Sequence, residues 1–176
     1  MNPKDERSSR DKMLRRLANH LREVGFVRGK STFFWREAPL VIEFIHVHKF
    51  SFGPGFRIHA GLRVIADSFQ AAALNGPDSD VYRCPDSPNG KRYRLSYSKD
   101  DESIDRCAEH AAEWCSDVAE PWFARWRNLD DLVADAESPL SSTAKAALSQ
   151  SIDGIPSPDA VSISRAIVGL PRLPHR

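Results

Sequence analysis

Residues 40–65 read LVIEFIHVHKF, SFGPG, FRIHAGLRVI, and this stretch decides the fold. The first run is long, β-branched and aromatic, which favours an extended strand. The last run alternates cleanly. Phe56, Ile58, Ala60, Leu62 and Val64 fall on one face, and Arg57, His59, Gly61, Arg63 and Ile65 fall on the other. Gly53, Pro54 and Gly55 supply turn chemistry between them. The two runs are therefore predicted to form an antiparallel hairpin, half-buried on the alternating side.

Register decides what the hairpin displays, because a slip of one residue exchanges the two faces of a strand. If Pro54 and Gly55 form a two-residue turn, Val47 sits opposite Leu62 and His48 opposite Gly61, diagonal to His59. If Gly53–Gly55 form a three-residue turn, His48 pairs with Ala60 on the apolar face and no histidine cluster forms. The first register is preferred, since it buries Ile45 and Val47 and exposes His46 and His48. Its cost is Glu43 on the inner face and Phe44 on the outer.

Upstream, Leu14, Leu17, Leu21 and Val24 are spaced for one helix face. That helix is expected to be capped by Ser8 or Ser9, to run to about Glu23 and to stop at Gly25. Ser31–Glu37 (STFFWRE) reads as a strand and Tyr93–Ser98 as the last one, whereas Asp67–Gly76 and Cys84–Gly90 read as irregular or loop segments. From about Asp101 the pattern turns helical. Ile104, Cys107, Ala108, Ala111, Trp114, Cys115 and Val118 make a continuous apolar stripe. Pro121 breaks or restarts the helix, and shorter helices follow near 130–136 and 141–149. Pro158–Leu170 is ambiguous between helix and strand. The expected fold is α+β: an N-terminal helix, an antiparallel sheet of about four to five strands, and C-terminal helices packed on one sheet face. Residues 1–8 read as a disordered tail, 9–150 as a single domain and 151–176 as a C-terminal extension.

The chain has 176 residues, 41% of them hydrophobic, enough for a core. No apolar run approaches the roughly 18 residues of a membrane span, and the N-terminal MNPKDERSSRDK lacks an apolar signal core. A cytoplasmic protein is expected. Three cysteines, Cys84, Cys107 and Cys115, form no CxxC pair. Cys107 and Cys115 lie on the apolar helix face and read as small core residues. The net charge of +1 hides a split: residues 1–98 hold 17 Lys and Arg against 10 Asp and Glu, and residues 99–176 hold 8 against 14. The total argues against coating a nucleic acid, while a local basic surface stays open.

Three segments carry a resemblance. LANHLREVGFVRGKSTFFWRE, IHVHKFSFGPGFRIHAGL and EPWFARWRNLDDLVADAE occur in this order within residues 12–137. They resemble a family of small bacterial domains of unknown function, in which a helix ending in "GF" leads to an aromatic strand, a polar and aliphatic hairpin and a closing "PWF" helix. The resemblance implies an α+β fold and brings no activity, cofactor or catalytic residue. His46, His48 and His59 stand where that family is expected to carry mostly amides.

No GxSxG, Walker, GxGxxG or HExxH motif is present. Asp100–Asp101 and Asp130–Asp131 sit at helix starts, where capping accounts for them. His110 and Glu113 read as a surface pair, and Trp114, Trp122 and Trp126 as core. The distinctive feature is an outer face of Phe44, His46, His48, Phe50, Arg57, His59 and Arg63, joined by Arg94 if the last strand turns its tyrosines inward. Arginine, histidine and aromatics are recognition chemistry. The function expected from this face is non-catalytic binding of an acidic protein, with immunity-type neutralisation of a toxin as one form of it. Two alternatives use the same face. His46, His48 and His59 together have the composition of a zinc site in a small metal-dependent enzyme. Stacking and phosphate contact would instead suit single-stranded nucleic acid.

Overall fold

The computed structural model describes residues 2–30, 32–51, 53–79 and 93–171. The chain is α+β, as the sequence pattern predicts. Helix α1 (Pro3–Glu23) precedes four strands, β1 (Val27–Arg28), β2 (Phe33–Ala38), β3 (Val41–Lys49) and β4 (Phe56–Val64). The strands form an antiparallel meander in the order β1-β2-β3-β4. Helices α2 (Asp101–Trp114), α3 (Glu120–Arg125), α4 (Leu129–Ala134), α5 (Ser142–Asp153) and α6 (Pro158–Val168) follow. Between α2 and α3 the chain widens into a π-helical turn, Cys115–Ala119. Pro121 has no N–H to give the preceding turn, and a widened turn accommodates the missing bond.

Helix α1 starts earlier than Ser8. Asn2 caps it by accepting the Asp5 N–H at 2.9 Å, and Pro3 occupies the first helical position, where its missing N–H costs nothing. Ser9 is buried within the helix. Gly25 stops it with φ of +87°.

The hairpin closes with neither of the two anticipated turns. His46 pairs with His59, His48 with Arg57, and Lys49 with Phe56, so the chain reverses through residues 51–54. The reason is stereochemical. A Pro54–Gly55 turn would be type II, whose twist splays the strands, because proline cannot take the positive φ of the primed hairpin turns. The left-handed residue is Gly53, at φ +80°. The longer turn preserves the face assignment of the preferred register: even positions of β3 still lie beside odd positions of β4.

The inner face of the sheet, including Phe34, Ile45, Val47, Phe56, Ile58, Ala60 and Leu62, packs against Leu14, Leu17 and Leu21 of α1 and Ile104, Ala108, Ala111 and Trp114 of α2 in the main core. Cys107 and Cys115 are buried free thiols in it, and burial pushes Cys107 up to about 12. Cys84 lies outside the described residues. The segment Tyr93–Ser98 makes only a bridge, Gly55 to Ser96, and adds no full strand. Its alternation is nevertheless as expected, with Leu95 and Tyr97 buried and Arg94, Ser96 and Ser98 exposed.

The outer face is not bare. The C-terminal extension supplies α6, and Val168 and Leu170 close a second small core over Ile42 and Phe44, with Phe33, Trp35, Ile65 and Ile167 around it. The ambiguous stretch 158–170 is thus a helix whose partner is the apolar end of the outer face. Ser164 fastens it by donating to Asp67 O at 3.0 Å, and Arg165 pairs with Glu37.

Candidate functional site

The outer row of the hairpin can be followed pair by pair. Ile42 faces Arg63, Phe44 faces Gly61, His46 faces His59, and His48 faces Arg57. The row divides into a covered half and an open half.

In the covered half, two residues expected on the binding face are buried. Phe44 is fully buried and lies across Gly61, where a Cβ atom would come within 2.2 Å of its ring. This aromatic-over-glycine contact fills the space the missing side chain leaves. Arg63 is 2% exposed. Its guanidinium donates to Ala71 O at 2.8 Å, Asp67 O at 2.8 Å and Phe69 O at 2.7 Å. It organises the loop after β4 and is not available to a partner. Burial pulls its pKa down, against the pull of Asp67.

In the open half, the three histidines do share a face. His46 stacks on Phe33 of β2 at 4.3 Å between ring centroids and on His59 of β4 at 6.3 Å. His48 meets both edge-on, at 6.0 Å from His46 and 6.3 Å from His59. Phe33, His46 and His59 are successive partners across β2, β3 and β4, so the stack is a cross-strand ladder. His48 is exposed, His46, Arg57 and Phe33 are half-buried, and His59 is buried beside Asp78, its bridge partner. Phe50 is half-buried, with its ring over Gly55. Arg94 lies elsewhere. It lines a polar recess with Ser96, Ser98, Asp100 and Arg106, and its N–H donates to His110 Nδ1 at 2.8 Å.

Electrostatics single out His46. Burial first, and then like-charge repulsion from the neighbouring His59, His48 and Arg57, together lower its pKa to about 4. Its neighbours meet it ring to ring. Among the described residues no group of three His, Cys, Asp or Glu side chains is arranged to hold a metal ion.

The first carboxylate pair has structural partners, and the second lies in the first turn of α4. Asp100 caps α2 by accepting the Ser103 N–H at 2.7 Å, and Asp101 pairs with Lys12 and Arg16 of α1. Asn128 caps α4 ahead of Asp130. Phe33 is the site residue that sequence reasoning missed. It could have been found from the β2–β3 pairing, which places the outward positions of STFFWRE beside His46 and Phe44.

No family model, curated protein or solved structure matches the chain, so the resemblance over residues 12–137 remains one of motifs. Among the described residues no helix is long and apolar enough to cross a membrane.

Proposed function

We propose that this chain is a non-catalytic binding protein. Its contact surface is the open half of the outer face, Phe33, His46, His48 and Arg57, and its partner is an acidic segment of another protein. The observation that carries this reading is the ladder Phe33–His46–His59 with His48 and Arg57 beside it. Aromatic rings and cationic groups are gathered on one partly exposed patch. The groups that depress His46 are all cationic or become so on protonation, so an approaching carboxylate relieves repulsion as well as forming a contact. The ring stack limits the side-chain entropy lost on binding. Neutralisation of a toxin is one form such binding takes.

The test is a pull-down from the source cell with the wild-type chain and with the double variant His48→Glu/Arg57→Glu, before and after nuclease treatment. A specific protein retained by the wild type, at least ten-fold depleted by the variant and insensitive to nuclease is expected. Retention by the charge-reversed variant overturns the proposed face. A partner lost on nuclease treatment replaces the protein reading with a nucleic-acid one.

A further inference from the structure

On the other side of the sheet, the residue that fits its strand least well is Glu43. It is 4% exposed and sits on the inner face, opposite Leu62. Arg36 of β2, its cross-strand neighbour on the other side, reaches it through Nε and Nη2, both at 2.5 Å. The same guanidinium pairs with Glu120 at the start of α3, at 3.1 Å, and stacks over Phe26 at 4.5 Å. Burial alone would lower the Arg36 pKa. The hydrogen bonds it donates to Glu120 and Glu43 outweigh that, and the pKa is raised. Arg36 thus lies between two carboxylates, and Glu120 is in turn approached by Arg127 at 3.6 Å. Both Arg36 contacts fall on the same Glu43 oxygen, Oε2, and Oε1 makes no hydrogen bond among the described residues.

Such an oxygen is costly in a sealed core. Here the core is not sealed. Glu43 lines a cavity of about 380 Å³ together with Val41, Leu62, Trp126 and Leu129. Exposed Glu37 and Arg127 also border it. The cavity thus combines apolar and aromatic walls with the Arg36–Glu43 pair, whose buried carboxylate has an unused acceptor. The π-helical turn Cys115–Ala119 immediately precedes Glu120, and such turns recur at ligand sites.

We infer that this cavity is a binding site for a small organic amine with an apolar or aromatic body, its ammonium group seated on Glu43. The apolar part fills the space between Leu62, Leu129 and Trp126. The ammonium supplies a charge-assisted donor to Oε1. The site lies on the face opposite the histidine ladder and is independent of it.

Calorimetric titration of the full chain with tryptamine, indole-3-ethanol and indole-3-acetate reads the inference directly. Tryptamine is expected to bind at least ten-fold more tightly than the neutral alcohol, with the carboxylate weakest. Equal binding of all three, or no binding of the amine, overturns it. Glu43→Gln is expected to remove the preference for the amine. If that variant does not fold, Leu129→Trp fills the cavity and leaves Glu43 with Arg36. Loss of tryptamine binding there supports the site, and unchanged binding places the amine elsewhere and overturns it.

Discussion

Each face of the sheet takes in an arginine, half-buried Arg36 on one and buried Arg63 on the other, and the two are accommodated differently. Arg36 lies on the inner face between carboxylates from β3 and α3, with a phenylalanine ring beneath it. Arg63 lies on the outer face and is held by three backbone carbonyls of the loop that follows β4. Carboxylates compensate the charge of Arg36 and keep it strongly ionised, whereas carbonyl dipoles satisfy the donors of Arg63 without a full counter-charge, and burial lowers its pKa. Carboxylates come from side chains fixed on rigid elements. Carbonyls come from a loop that must fold around the guanidinium. The inner arginine therefore joins elements of the core, and the outer one shapes a loop.

The largest effect expected from breaking this contrast is on the inner face. Arg36→Leu leaves Glu43 buried and uncompensated, at a cost of about 3–5 kcal/mol. Arg63→Leu strands carbonyls that can turn to water as the loop relaxes, and should cost about 2 kcal/mol. Urea unfolding of the two variants measures the gap. Hydrogen exchange locates it, with Arg63→Leu accelerating residues 67–71 selectively and Arg36→Leu lowering protection across β2, β3 and α3. Equal losses spread over the whole chain would remove the distinction.

Gly61→Ala tests the covered half of the outer face. The added methyl meets the Phe44 ring well inside contact distance, and overpacking of this kind costs about 1–3 kcal/mol. Because Phe44 shares its small core with Val168 and Leu170, α6 should become more sensitive to limited proteolysis. An unchanged melting temperature would show that the ring is free to move aside.

The smallest effect belongs to the open half. The His46 pKa in the folded chain, about 4, lies below its ordinary value of 6.5. The unfolded chain therefore takes up the proton first as pH falls. Stability is complete above about pH 6.5 and declines between there and about pH 4. Solvent screening at this half-buried position limits the loss to about 1–2 kcal/mol. Thermal melts of wild type and His46→Phe across this range should differ in slope, the variant being flatter. A bound acidic segment should reduce the decline, because it favours the protonated ladder.

Much of this contrast was legible in the sequence, but not all of it. The alternation of Phe56–Val64 assigned the faces of β4 correctly, since side chains on a strand have no alternative but to alternate. The same parity put Glu43 inside and Phe44 outside. Both looked like costs because their partners were not local. Glu43 is answered by Arg36 on the neighbouring strand and indirectly by Glu120 across the core, and Phe44 is answered by Gly61 and the C-terminal helix. A carboxylate and an aromatic on apparently wrong faces were the available signals for the Glu43 cavity and for the helix that covers the outer face.

The sequence by itself determined the α+β class and the two faces of each hairpin strand. These follow from periodicity, which is a property of neighbours along the chain. Only the tertiary structure decided the turn length, and with it the gathering of His46, His48 and His59 on one face, and which half of that face stays open. It alone also decided that Arg63 is consumed internally and that Glu43 opens onto a cavity. The cover on the outer face and the Glu43 cavity depend on segments distant in sequence arriving at the sheet, and the free energy of that arrival comes from burial, which no local pattern encodes. The turn and the loop around Arg63 are near in sequence, but their form is set by backbone geometry that hydrophobic periodicity does not carry.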